Sequence, residues 1–363
     1  MRSRLAAAAA TLAVTAGSAC EAPTAPTAPR DPLGDVARMS THAVARSFAL
    51  FDGARVAVAR EHLSDVLLAS VEPGAAALDV AVDVGIGPRS VATCTRGAER
   101  VIVTADTTGS SLTVLSDRSG AFALAATLAW PGIPRSVRCL DAPAGGDVTL
   151  VVAEGVGEED GRVVVLTVAP DGSFAERAAR ADPGVSVAEP LALLADGTIE
   201  IAAIETRYGT VSTFEAGGRD DATRVFAPCA DPSSAALADI DGIDPLDLVV
   251  ACHDGTLAII TDRTAPSPKV RPIPVGGDFY ALVALDLNAD GRADLAMADE
   301  ANHRAVVLMG LGGGAFAEPS PHPVPRGPVD LHAGDLDADG DPDLVVLSYE
   351  EPSLGWLLND TRP

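Results

Sequence analysis

Three aspartate-rich segments limit what this chain can fold into, because they recur at a near-constant interval: they start at Asp239, Asp286 and Asp335, 47 and 49 residues apart. A fixed period of this size marks a propeller or solenoid, in which each repeat buries its apolar face only against its neighbours. Units of similar length can be drawn from positions 41, 85, 131, 182, 229, 276 and 325, several opening on related words such as GIGPRSVA, PGIPRSVR and PRGPVDLH. Seven units fill the span.

Within the units, β-rich runs alternate with turns: VIVTAD with LTVLSD, VTLVVAE with VVVLTVA, LDLVVAC with LAIITD. Short apolar runs of this kind read as strands. Phe122, Phe174 and Phe316 each follow a glycine-containing turn and mark the last strand of three units. The expected fold is all-β, a β-propeller of seven blades of four antiparallel strands, forming one domain over 41–363. Thirty-four glycines, 27 prolines and 47% hydrophobic residues suit a turn-rich fold with a large core. The last unit ends at LGWLLND with about three strands. The segment from Asp35 to Val44 is expected to supply the fourth, closing the ring and covering its edge. One stretch competes with the hairpin pattern: REHLSDVLLASVE from Arg60 has the spacing of a short helix.

The segments DLNADGRADL and DLDADGDPDL carry acids or their amide at positions 1, 3, 5 and 9 and glycine at 6. In the first, the side chains of Asp286, Asn288, Asp290 and Asp294 and the carbonyl of Arg292 can converge; in the second, Asp335, Asp337, Asp339 and Asp343, with Asp341 at the carbonyl position. Calcium takes six to eight hard oxygens, and the sharp turn at position 6 suits Gly291 and Gly340. An EF-hand is excluded, because position 12 is Met297 or Val346 and strands follow. A weaker copy keeps Asp239, Asp241 and Asp247 but has Ile243 for the fifth acid and Asp244 for the glycine, and ranks below the other two. The competing reading of each segment is an acidic surface turn without metal.

On these loops and the period, the chain resembles the FG-GAP/VCBS repeat family, strongly over 229–363 and more faintly in the N-terminal blades. The resemblance implies a propeller with calcium in the loop joining the first two strands of a blade.

Residues 1–19 place Arg2 and Arg4 ahead of the apolar run LAAAAATLAVTA, as in an export signal, and the run is too short to span a bilayer comfortably. Gly17, Ser18, Ala19 and Cys20 resemble the lipobox of bacterial lipoproteins, in which the cysteine is lipidated; Gly17 departs from the large aliphatic residue expected there, and the same residues suit ordinary signal peptidase cleavage. The Pro/Ala/Thr-rich stretch over 20–40 reads as an extended tether. The expected location is the bacterial cell envelope, lipid-anchored on the periplasmic side or at the surface, with secretion as the alternative. Four further cysteines suit two disulfides in an exported chain; the propeller register pairs Cys94 with Cys139 and Cys229 with Cys252, and free buried thiols are the alternative.

The formal charge is −25, or −27 once Arg2 and Arg4 leave with the leader. This disfavours nucleic acid and anionic membrane surfaces as partners and leaves the lipid as the membrane contact. No GxSxG, HExxH or phosphate-cradling glycine loop is present, and the six histidines are scattered, so the chain reads as a non-enzyme. The starts of the inner strands bring Arg89, Ser90, Arg135, Ser136, Glu189, Tyr280, Asp330 and His332 to one mouth of the central channel, opposite the calcium loops. They are either a ligand site or a polar rim that satisfies strand ends. The functional expectation is a calcium-binding, monomeric module for a protein or polysaccharide partner at the envelope. An envelope hydrolase or lyase acting through the channel, or a structural subunit of an envelope complex, are the alternatives.

Overall fold

The computed structural model describes residues 32–359 except 75, 119, 156–159, 195–196, 217–222 and 244. The leader, Cys20, the tether up to Asp31 and Asp244 of the weak acidic loop lie outside the described residues. Seven four-stranded antiparallel sheets form a closed ring, with inner strands Ala45–Phe51, Pro88–Arg96, Ile133–Leu140, Val187–Leu193, Pro232–Ala238, Phe279–Leu285 and Pro328–Gly334. They begin within a few residues of the unit starts read from the sequence. Among the described residues there is no α-helix, only a 3-10 turn at Thr206–Tyr208, and no helix long and apolar enough to cross a membrane.

The core is not one cluster but seven, each filling the seam between two adjacent blades. Alternate residues of a strand point to opposite faces, so a middle strand serves two seams at once. Leu150 and Val152 pack against the second blade, while Val151 and Ala153 pack against the fourth. Burial on both faces is why runs such as VTLVVAE are apolar throughout and show no alternation.

The N-terminal segment Leu33–Ser40 pairs antiparallel with Ser353–Asn359 as the outer strand of the seventh blade, in continuous register from Val36 opposite Leu357 to Ser40 opposite Ser353, with Leu33 opposite Asn359 beyond an irregularity. The propeller therefore begins at Leu33, inside the stretch assigned to the tether, and the closing strand lies slightly before the Asp35–Val44 window. The segment from Arg60 is a hairpin, not a helix: Arg55–Arg60 and Asp65–Ser70 pair antiparallel, with Arg60 opposite Asp65. The Arg60 guanidinium donates to both carboxylate oxygens of Asp65, at 2.7 and 2.6 Å, across a turn in which Ser64 takes a positive φ of 57°. Val66, Leu67 and Leu68 are all buried between blades, which overrides their local helical spacing. Phe174 starts an outer strand and Phe122 immediately precedes one, whereas Phe316 sits in a two-stranded ribbon, because the sixth blade inserts that ribbon ahead of Ser320–Pro323.

Two disulfides staple the ring. Cys94 and Cys139 join the inner strands of the second and third blades, and Cys229 and Cys252 join residues at one end of the fifth.

Candidate functional site at the channel mouth

Six of the seven inner strands carry a register irregularity near their start, at Ala45/Ser47, Pro88/Ser90, Pro134/Ser136, Pro232/Ser234, Phe279/Ala281 and Pro328/Asp330. A bulge of this kind leaves one residue out of the ladder and re-aims its side chain. The unpaired residues are Arg46, Arg89, Arg135, Ser233, Tyr280 and Val329, and all six line the cavity at the channel mouth. In the fourth blade the shift comes later, between Pro190 and Ala192, so that blade contributes no such residue.

The residue after each bulge does different work. Ser47 Oγ accepts the backbone N–H of Val91 on the next blade at 3.3 Å, Ser90 that of Val137 at 3.1 Å, Ser136 that of Ala188 at 3.3 Å and Ser234 that of Leu282 at 3.2 Å. Asp330 Oδ2 accepts the N–H of Phe48 at 3.1 Å and so spans the seam between the last blade and the first. The corresponding positions of the fourth and sixth blades are Val187 and Ala281, which have no side-chain acceptor. These polar side chains tie five of the seven seams.

Two residues further in, Arg138 on the third blade donates to both carboxylate oxygens of Glu189 on the fourth, one bond being 2.7 Å. Burial works against the Arg138 charge, but Glu189, and beyond it Asp330, raise its pKa above the ordinary value. On the seventh blade His332 Nε2 lies 3.5 Å from Asp330 Oδ1, and the His332 ring meets Phe48 edge-on at 4.7 Å. Burial pushes the Asp330 carboxyl up, yet the His332 charge and hydrogen bond, the Phe48 N–H and Arg138 together hold it below the usual carboxylate range. Across the mouth, His253 Nδ1 is 2.6 Å from Asp278, and the His253 ring packs edge-on against Tyr280 at 4.5 Å. Burial, then Asp278, raises the Tyr280 hydroxyl pKa.

The structure thus brings Arg89, Arg135, Glu189, Tyr280, Asp330 and His332 into one cavity of about 450 Å³. Of these, Asp330 and His332 touch each other; among the described residues no hydrogen bond joins Arg89 or Arg135 to either. The sequence reading missed Arg46, Arg138 and His253. Arg46 occupies the same bulge position as Arg89 and Arg135, a signal that strict alignment of the unit starts would have exposed. Arg138 becomes visible only when the third and fourth blades are set side by side.

The acidic loops follow the inner strands and lie at the other end of the ring. Their position-9 acids are buried and hold backbone: Asp294 accepts from Leu287 at 2.9 Å and Gly310 at 2.6 Å, Asp343 from Leu336 at 2.7 Å and Asn359 at 2.8 Å, and Asp247 from Ile240 at 3.0 Å. Burial, together with neighbouring acids, pushes the Asp294 and Asp343 carboxyls up to about 6. In the loop at 335 the carboxylates of Asp335, Asp337 and Asp343 lie within 4.8 Å of one another, as do those of Asp239, Asp241 and Asp247. Asp335 Oδ1 is buried with no donor, so an oxygen is left over for a cation, and the residues fit calcium. Asp339 offers a further carboxylate, and Arg292 and Asp341 occupy the position-7 sites of their loops. In the loop at 286, Asp286 accepts the amides of Asp290 and Gly291 at 3.0 and 2.8 Å, and Asn288 that of Asp290 at 3.1 Å, closing the turn on itself.

Comparison with known proteins agrees with this architecture. Residues 286–346 match the FG-GAP-like repeat family. No curated protein matches the chain. Among solved structures, hydrazine synthase of Kuenenia stuttgartiensis superposes with a TM-score of 0.65 at 13% identity, covering 89% of this chain and 98% of that one. YCF48 bound to D1 peptide gives 0.64 at 13% identity, over 91% and 96% of the two chains. BBS1N in complex with ARL6DN gives 0.63 at 14%, over 91% and 98%. At these identities the likeness is one of fold. The chain is a seven-bladed β-propeller that carries an FG-GAP-like repeat at 286–346.

Proposed function

We propose that this chain is an exported binding module of the bacterial cell envelope, held by a lipid on Cys20 and stabilised by calcium, that takes a partner, protein or polysaccharide, at the channel mouth. One observation carries the reading: the charged groups deep in the channel are already engaged with one another, while the cavity outside them stays open. Asp330 is tied to Phe48 and His332, and Glu189 to Arg138. The acid and base that a hydrolase or lyase would need there serve the ring instead, whereas Arg46, Arg89, Arg135 and Tyr280 line the opening.

Two of the structural neighbours were solved with a protein or peptide bound, YCF48 and BBS1N, which favours a protein partner. Calcium at the opposite end would be held by Asp335, Asp337, Asp339 and Asp343, by Asp286, Asn288, Asp290 and Asp294, and, with fewer ligands, by Asp239, Asp241 and Asp247. Its role there is to offset crowded carboxylates in the loops between the first two strands of three blades.

The test is a pull-down from envelope fractions in calcium, with wild-type chain, a Tyr280→Ala mouth variant and a Leu311→Ser variant on the loop side. A partner retained by wild type and Leu311→Ser but lost with Tyr280→Ala supports the reading. Retention indifferent to Tyr280→Ala refutes it.

A further inference from the structure

In a chain with 51 acidic and 26 basic residues, an arginine without a partner is unexpected. Arg89 and Arg135 are such residues: among the described residues neither makes a hydrogen bond or ion pair, while the other described arginines, Arg207 aside, each make at least one. Both sit at the bulge of adjacent blades, in the repeated word PRSV, and the third bulge arginine, Arg46, lies beside them. Arg135 Nε is buried with no acceptor. Gly155 opens the space it fills, since a Cβ there would come within 2.6 Å of that nitrogen.

A buried donor without an acceptor, as at Arg135 Nε, costs roughly 1–3 kcal/mol, and gathering like charges adds to that. Glu61, 3.6 Å from Arg46, offsets part of the cluster. Burial, followed by Arg46 and Arg135, lowers the Arg89 pKa, while Glu61 raises it, which is the response of a guanidinium missing its anion. A guanidinium presents a planar fork that fits a carboxylate through two parallel hydrogen bonds.

Building on the binding-module reading, we propose that Arg89 and Arg135, with Arg46 beside them, receive the C-terminal carboxylate of a peptide that enters the channel end-on. The recess is the axial hole of a ring, so the end of a chain fits it better than its middle. The formal charge of −25 and the carboxylates of Glu189 and Asp330 in the same cavity disfavour a polyanion and leave room for one negative group. Trp130 and Trp356 are buried and Tyr280 meets His253 edge-on, so the mouth offers little aromatic surface on which a sugar ring could stack.

The experiment uses the mature chain, immobilised, and a randomised pool of acetylated hexapeptides without Asp or Glu, as free acids and as C-terminal amides. Retention of the free-acid pool at least about tenfold above the amide pool is expected, falling by a similar factor in Arg89→Gln/Arg135→Gln and only partly in Arg89→Lys/Arg135→Lys. Equal retention of both pools, or retention unchanged in the Gln variant, overturns the carboxylate anchor while leaving a mouth that binds peptides. Arginine-dependent binding of digalacturonate or inorganic phosphate without retention of peptide overturns the peptide assignment. The Lys variant keeps both charges, so loss of fold is separable from loss of binding.

Discussion

Replacing Asp330 should weaken the ring at its closure more than replacing any of the serines that hold the other seams. The Phe48 amide is buried between the first and seventh blades, Phe48 is wholly inaccessible, and its acceptor is a charged carboxylate. A hydrogen bond to a charged group contributes about 1.5–3 kcal/mol, against about 1 kcal/mol for the neutral hydroxyl of Ser136 that accepts from Ala188. Asp330→Ala also leaves the His332 imidazole without its acid and the Phe48 amide unsatisfied, so a loss of roughly 2–4 kcal/mol is expected, against about 1 kcal/mol for Ser136→Ala. Asp330→Asn, which keeps an acceptor, should recover about half. Urea unfolding has two built-in reporters, Trp356 in the seam between the seventh and first blades and Trp130 in the seam between the second and third. Because the folded carboxyl lies below its ordinary range, its contribution is present above the unfolded value, near pH 4, and is lost as pH falls through the folded value. The advantage of wild type over Asp330→Asn should therefore shrink in acid. An Asp330→Ala variant within about 0.5 kcal/mol of wild type, or no more damaged than Ser136→Ala, would refute the claim that this carboxylate closes the ring.

Other expectations are more direct. Chelation should lower the melting temperature and added calcium restore it, each site contributing about 2.7 kcal/mol of stability at a hundredfold excess over Kd, and joint Asp286→Ala and Asp335→Ala should remove most of the response in calorimetry. Asp182 and Glu205 are buried together, each with one oxygen that has no other donor, and burial followed by Asp182 pushes the Glu205 carboxyl up to about 8. The folded state then holds a proton that the unfolded state releases, so stability should fall as pH rises from the ordinary glutamate value towards 8, by at most about 1.4 kcal/mol per unit, and Glu205→Gln should flatten the slope in urea titrations. Deleting the chain through Ser40 removes the closing strand and uncovers the edge of Ser353–Asn359, so aggregation on a sizing column is expected, relieved by a peptide spanning 33–40.

The sequence exposed the ring because its repeats mark themselves where geometry is least forgiving. The glycine of GIGPRSVA precedes an inner strand where a Cβ on Gly85 would lie 2.2 Å from the Asp106 carboxylate, and Gly277 before the sixth blade faces Asp299 at 2.5 Å in the same way. Asp106 is held by Thr104, Ser111 and Thr113, and Asp299 by Asn302 and Arg304, so neither carboxylate can move aside. Small residues recur there because each blade tucks the incoming connection against its own second strand. The hairpin at Arg60 was harder to see, since its apolar spacing fits a helix and only the seams on both faces decide against one. The position-9 aspartates were read as metal ligands alone; their bonds to Gly310 and Asn359 arise from strands distant in sequence and leave no local mark.

The bulge explains why the mouth was half legible. It places two neighbouring side chains in different roles: on five blades the second reaches the next blade and ties the ring, while the first leaves the ladder and lines the mouth, although Ser233 also ties its blade to the next through the Phe279 carbonyl and Val329 is buried. The tying position needs an acceptor and draws on Ser47, Ser90, Ser136, Ser234 and Asp330. The outward position has no such requirement, and it holds arginine on three blades and serine, tyrosine and valine on three others. At the arginine bulges, what the mouth recognises can therefore change without loosening the seams beneath. On this logic Arg89 and Arg135, free of structural duty, are where ligand preference should be sought, and Ser90 and Ser136, one residue later, are where stability should be.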